Sequence, residues 1–284
     1  MSYQNKSSSR IYPVITYLVL FGVFILVVSP LQWAIASSFS QNDLIFRNVF
    51  PFSWKAFVPS QFTMEAYQAL FTQRDFGLVL RNTFILSIGT VLLSGLINLL
   101  AGFAFATFDF NGKNLLFGLV LFTFMVPIEV TIIPQYLQMK NLGWINTWQG
   151  LFIPGLANSM VIFLFRQFFS EIPKDLLDAA RVDGASWLKI LFSIVVPISK
   201  PVLIGAGMVL FISTWNSFFW PLVVAPSPEF RVIQVAISLT VEQRQTIWNE
   251  LFAGSLLAAI VPILIVLPLQ QYYVNSIAST GIKE

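Results

Sequence analysis

The chain is 56% hydrophobic and only 10% charged, yet residues 175–183 read DLLDAARVD and gather Asp175, Asp178, Arg181 and Asp183. Lys174 precedes this cluster and Lys189 follows it. Asp178 and Asp183 form the close acidic pair, and paired carboxylates can serve acid–base chemistry. The chain has no His and no Cys, however. It therefore lacks the commonest general base and metal ligand, any thiol nucleophile and any disulfide, and a zinc or iron site is not expected. What remains is recognition. The small residues Ala179 and Ala180 would let another surface approach closely, with opposite charges around them. The plainer alternative is a solvated link between two apolar segments.

Two further places could do chemistry. Glu129 stands alone in a long apolar stretch, and an ionisable group inside a span is a functional hypothesis by default. It could equally sit in a wet cavity or pair with a helix of a partner. Residues 214–224 read TWNSFFWPLVV and pack Trp215, Asn216, Phe219 and Trp220 together. Indole faces can cover the apolar side of a sugar ring while an amide bonds its hydroxyls. The alternative is ordinary anchoring of Trp at a membrane interface.

The elements that must position these residues follow from charge spacing. Soluble domains carry about a quarter charged residues, and a mean hydropathy of +0.77 points to a membrane protein. The net charge of +3 is spread thinly, so no basic stripe suggests nucleic acid. A transmembrane helix needs about 20 apolar residues. The gaps between charges predict six, near 13–37, 80–107, 115–137, 147–168, 201–225 and 252–275, and the fold class expected is an all-α polytopic membrane protein. The segment joining spans one and two interleaves Phe50, Phe52, Trp54, Phe57, Phe62, Tyr67 and Phe71 with Pro51 and Pro59, a composition suited to the headgroup region. Residues 64–71 predict a short interfacial helix there. Residues 34–36 (Ala-Ile-Ala) imitate a signal-peptidase site, but the apolar run exceeds the 7–15 residues of a signal peptide core, so a retained anchor is expected.

Lys6, Arg10, Lys113, Arg166, Lys174, Arg181, Lys189, Lys200 and Lys283 fall on one side of this topology. Arg47, Lys55, Arg74, Arg81, Lys140, Arg231 and Arg244 fall on the other. The positive-inside rule then favours cytoplasmic termini, chiefly through the five basic residues of 166–200. Within 171–197, Ile172-Pro173 suits a helix start, residues 174–182 predict a helix, and Gly184 can supply the left-handed turn that ends it. Ser186 is placed to cap a second helix over 187–195.

DAARVDGASWLKILFSIVVPISKP, residues 178–201, resembles the EAA loop of ABC-importer permeases, in which EAA is followed three residues later by Gly and further on by I-x-x-P. The matching positions are Ala179, Ala180, Asp183, Gly184, Ala185, Ile194 and Pro197, with Asp178 in place of the usual Glu. RNTFILSIGTVLLSGLINLLAGFAFATFDFNGKNLLF, VPIEVTIIPQYLQMKNLGWINTWQGLFIPGLA and RQFFSEIPKDLLDAARVDGAS resemble the carbohydrate, maltose-permease-like branch. QQYYVNSIASTGIKE resembles its ending, with Ser276 and Glu284 where Gly is common. The resemblance covers roughly 76–284.

It implies an N-terminal part, 1–75, holding the first span and an extracytoplasmic loop, and a permease core, 76–284, with five spans. The coupling loop at 171–197, between spans four and five, would enter a cleft of a cytoplasmic ATPase through Asp178, Ala179, Ala180, Arg181, Asp183, Gly184 and Ala185. The implied partners are a second homologous permease, two ATPase copies, an extracytoplasmic sugar-binding protein and the lipid of a bacterial inner membrane. No cofactor is expected on this chain, with ATP and Mg on the ATPase. The cargo would be a carbohydrate or polyol. No G-x-x-x-x-G-K-[ST] loop is present, since Gly112-Lys113 lacks both the earlier Gly and the following hydroxyl, so any nucleotide chemistry belongs to another chain. An ion-coupled carrier would bury several ionisable groups, where only Glu129 qualifies. A membrane transferase would want paired acids or a metal cluster near one face.

Overall fold

A computed structural model describes residues 8–241 and 246–281, with side chains over 13–241 and 246–270. Lys6, Arg244, Lys283 and Glu284, and the side chains of Arg10 and Ser276, lie outside the described residues. The described chain is nearly all helix; its β structure is one isolated bridge between Val241 and Thr246. In order, α1 is Ser8–Ser38, α2 Glu65–Thr72, α3 Phe76–Thr107, α4 Lys113–Phe124, α5 Ile128–Asn141, α6 Trp148–Phe152 and α7 Ser159–Ser170. Then come α8 Lys174–Val182, α9 Trp187–Ile190, α10 Val196–Ile198, α11 Lys200–Trp215, α12 Phe219–Val224, α13 Ile233–Ser238 and α14 Trp248–Gly281.

Pro13–Ser38, Phe76–Thr107 and Trp248–Gln270 are each long and apolar enough to cross a bilayer. The other apolar stretches are broken. The continuous helix expected over 115–137 is instead α4 and α5, meeting at 101°. Pro127 explains the break: it donates no N–H and pushes Val126 out of helical geometry. The segment expected at 147–168 bends by 46° between residues 155 and 159, past Pro154 and Gly155. The helix expected over 201–225 ends at Trp215, and α12 follows as a separate piece. Before it, residues 187–198 meet α11 at 87°, across Ser199 with Pro197 and Pro201 on either side. The run after α9 widens into a π-helical turn at Leu191–Val195.

The chain forms two compact units, residues 1–75 with 237–258 and residues 76–236 with 259–284. In the first, α1 leaves Tyr17, Leu18, Phe21, Phe24 and Leu26 exposed, a surface suited to lipid or a partner helix. Its C-terminal end is tied down: Tyr67 donates from Oη to Ser38 Oγ (3.0 Å), and the Trp33 ring lies 5.0 Å from that of Phe252. The short helix expected at 64–71 forms as α2, burying Ala66, Ala69 and Leu70. Phe50, Phe52, Trp54 and Phe62 remain exposed, as an interfacial aromatic segment requires.

In the second unit α3, α7 and α11 pack together. Gly102 permits the closest approach, because a Cβ there would collide with the Cβ of Phe165. One core joins Leu99, Phe103, Phe165, Phe169, Leu177, Ile190 and Val195. Another joins Leu86, Met139, Leu151, Val224 and Val232. Leu86 and Phe103 lie about 25 Å apart along α3 at 1.5 Å per residue. The two cores follow one another along α3, and together they span nearly the thickness of a bilayer's hydrocarbon region.

Candidate functional site

The charged segment forms two short helices joined by a tight turn. At the end of α8 the N–H of Ala185 bonds to the carbonyl of Ala180 and that of Gly184 to Arg181, each at 3.0 Å. These are the two bonds of a Schellman ending, with Gly184 in the left-handed conformation at φ +79°. Ser186 caps α9 by accepting from the N–H of Lys189 (3.3 Å). Leu177 and Ile190 anchor both helices in the core, and the Trp187 ring lies 5.0 Å from Phe108.

The anchored side determines what faces outward. Asp178, Ala179, Asp183 and Gly184 are exposed, whereas Ala180 and Ala185 pack against the core. The small pair thus does not form one outward face: only Ala179 is available to an approaching surface. Arg181 is exposed as well, but its guanidinium folds back over the turn, 4.9 Å from the Trp187 ring and donating to the Ala185 carbonyl (2.6 Å). Sequence reasoning missed Val182, which is 88% exposed at the tip, and grouped Leu176 with Leu177 and Ala180 on one side, whereas Leu176 is exposed. Their spacing at 176, 179 and 182 was the available signal, an apolar stripe on the side of α8 away from Leu177.

The residues singled out for a pathway do not converge. Glu129 is exposed in the first turn of α5, beside the break from α4, where the helix dipole favours its negative charge. Trp215 is 1% exposed and packs against Phe84 at 5.1 Å and Phe211 at 5.5 Å; it belongs to the interior of this unit. Asn216 caps α11 and accepts from Gln234 Nε2 (3.1 Å). Phe219 is 57% exposed. Trp220 donates from Nε1 to the Gly150 carbonyl (3.1 Å) and lines a cavity of about 280 Å³.

Three polar side chains of α3, which sequence reasoning passed over, hold irregular backbone in place. Asn98 accepts the N–H of Asn158 (3.0 Å) and donates to the carbonyl of Leu156 (3.2 Å), bridging the break before α7. Asn82 donates to the carbonyls of Glu229 (2.8 Å) and Arg231 (3.2 Å). Thr83 accepts the N–H of Ile233 (2.9 Å). Polar residues inside an apolar helix were the signal, since broken backbone at membrane depth must find partners. Between α3 and α4, Lys113 lies 3.1 Å from Asp109 and, by hydrogen bond and charge, holds its carboxyl below the usual range. Among the described residues no group of three or more Asp or Glu could hold a metal ion.

Residues 99–276 match the family described as "Binding-protein-dependent transport system inner membrane component". The arabinooligosaccharides transport system permease protein AraQ of Halalkalibacterium halodurans is 29% identical over 95% of this chain and 98% of its own length. The AraQ protein of Bacillus subtilis is 33% identical over 71% and 72%. The sn-glycerol-3-phosphate transport system permease protein UgpE of Yersinia pestis is 32% identical over 72% and 74%. A solved bacterial ABC transporter involved in the import of the acidic polysaccharide alginate superposes with a TM-score of 0.81 at 23% identity, over 96% of this chain and 99% of that one. This chain belongs to the binding-protein-dependent transport family, as an inner-membrane component. It is a multi-pass permease subunit of an ABC importer rather than an enzyme. That assignment supports the importer reading over an ion-coupled carrier or a membrane transferase.

Proposed function

We propose that the chain is one half of the membrane pathway of an ATP-driven importer for a carbohydrate or related polyol. The names of its relatives support the cargo class: arabinooligosaccharides for AraQ and sn-glycerol-3-phosphate for UgpE. Six spans form when each bent helix pair counts as one crossing, with both termini in the cytoplasm. The pathway is completed by a second homologous permease, two copies of an ATPase carry ATP and Mg, and an extracytoplasmic sugar-binding protein delivers the cargo. A solved alginate importer in complex with a pentasaccharide-bound periplasmic protein is an example of such delivery in a related fold. The functional division is 1–75 as anchor and outer loop and 76–284 as permease core.

The loop at 171–197 is the coupling element. One observation carries this reading: α8 is anchored through Leu177 yet leaves Asp178, Ala179, Val182 and Asp183 exposed. An exposed apolar tip ringed by acids suits insertion into a cleft. Val182→Lys should abolish co-purification of the ATPase and binding-protein-stimulated ATP hydrolysis. Asp178→Lys should weaken both less, since exposed ion pairs contribute about 0–1 kcal/mol. Full stimulation in the Val182→Lys complex would remove the tip from the interface.

A further inference from the structure

Arg166 lies one helical turn before the end of α7, with its guanidinium carbon 3.9 Å from the centre of the Phe117 ring. Phe117 itself is buried. The Nε of Arg166 is buried and has no hydrogen-bond partner among the described residues, and none of their ion pairs involves this side chain. A cation so enclosed is costly unless an acceptor meets it. Lys113, one turn before Phe117 on α4, has a side chain only 18% exposed. The charges of Lys113 and Lys174 both act on the Asp109 carboxylate, so three cations gather at this end of the unit.

Beside these cations the surface is apolar. A groove of about 390 Å³ runs between α4 and α7, lined by Phe105, Leu116, Leu119, Val120 and Ile162. Its two hydroxyls, Thr123 and Ser159, bond to each other (3.1 Å). Leu116 and Leu119 are exposed along it. Ile162 is one turn from Arg166 on α7, and the Phe105 ring lies 5.4 Å from that of Phe117, so the groove ends at the guanidinium and its ring. An anionic end joined to an apolar chain satisfies both parts at once. An inorganic anion would answer only the cations, and a neutral helix face only the groove.

We propose that Arg166 and Lys113 hold the phosphate of an anionic phospholipid of the cytoplasmic leaflet, with one acyl chain in the groove between α4 and α7. Both cations stand within about a turn of a helix end on the side of the 171–197 loop, the depth of lipid headgroups. Basic pockets between transmembrane helices on the cytoplasmic side suit such headgroups. The lipid braces the turn between α3 and α4 beside Lys174, where α8 begins. The proposal rests on the orientation that places this loop in the cytoplasm.

The test uses the full importer, purified with its partner permease and ATPase and reconstituted in phosphatidylcholine nanodiscs. A trace of phosphatidylglycerol with a photoactivatable acyl chain is added, and labelled peptides are mapped after illumination. Peptides from 105–123 or 157–166 should carry the label, and unlabelled phosphatidylglycerol should compete. A phosphatidylcholine probe should label them about tenfold less. Arg166→Gln and Lys113→Gln should each lower labelling about five- to tenfold, the loss of one charge-assisted hydrogen bond. Arg166→Lys should keep most of it, and Lys55→Gln, in the other unit, all of it. Melting temperatures of the variants identify any loss caused by unfolding, and Lys113→Gln provides a second readout should Arg166→Gln fold poorly. No label on these peptides, equal label from phosphatidylcholine, competition by inorganic phosphate, or unchanged labelling in both folded Gln variants overturns the lipid site. The orientation fails separately, if Lys189→Cys reacts with impermeant thiol reagents from outside.

Discussion

The side-chain amide of Asn98 bonds both ends of the break before α7, accepting from Asn158 N–H and donating to the carbonyl of Leu156. It acts there as a strand neighbour would, supplying one acceptor and one donor to backbone that has left the helix. Asn158 in turn caps α7 by accepting the N–H of Val161 (3.1 Å). One buried side chain thus makes the bend tolerable in an apolar surrounding.

Asn98→Leu should destabilise the chain by about 2–4 kcal/mol, because two part-buried backbone groups lose their partners. In detergent the melting temperature should fall by about 5–10 °C. An unchanged melting curve would mean that water or another group satisfies the break.

Gly184→Val should leave the protein inserted but uncouple it. At φ +79° a β-branched residue is strongly disfavoured, so the Schellman turn would open and α8 would present its tip at another angle. Uptake and binding-protein-stimulated ATP hydrolysis should fall together in membrane vesicles, with normal amounts of the chain present. Gly184→Asn, which tolerates the left-handed region better, should retain more of both.

Because the chain has no native Cys, topology can be read with single introduced thiols. Asp183→Cys and Lys189→Cys should react with impermeant reagents only in inside-out vesicles, and Gln61→Cys only in intact spheroplasts. Labelling of position 183 from outside would invert the proposed orientation.

Asn216→Leu and Glu129→Gln separate pathway roles from structural ones. Asn216 sits where α11 stops and bonds to Gln234, while Glu129 is exposed at the 101° break. If they touch the cargo, uptake falls several-fold while assembly and ATPase stimulation persist. Loss of assembly alongside uptake would make both positions structural, and unchanged uptake would remove them from the pathway.

What could be read from sequence was mostly what short-range chemistry decides. The left-handed Gly184 and the Ser186 cap depend on backbone geometry within a few residues, and both appear where the sequence places them. The break at Pro127 was half visible. The proline was in plain sight, but marking spans by gaps between charges treats any uncharged run as continuous. Trp215 and Trp220 could not be told apart, because the helix ends between them and packing from α3 and α6 decides which indole is enclosed. Asn98 was harder still: its partners lie about sixty residues along the chain, and only the tertiary fold brings them to it.

The turn at Gly184 is held by two main-chain bonds and by the Arg181 guanidinium on the Ala185 carbonyl, and none of these involves the side chains at 178, 179, 182 or 183. The exposed positions 178, 179, 182 and 183 are therefore free to drift in charge and size without changing the angle between α8 and α9. If the loop docks the ATPase as proposed, such a design separates mechanical transmission from partner choice. Related importers could share one motor or acquire private ones through substitutions at these few sites, and exchanging only those four residues between two systems should be enough to redirect which motor answers.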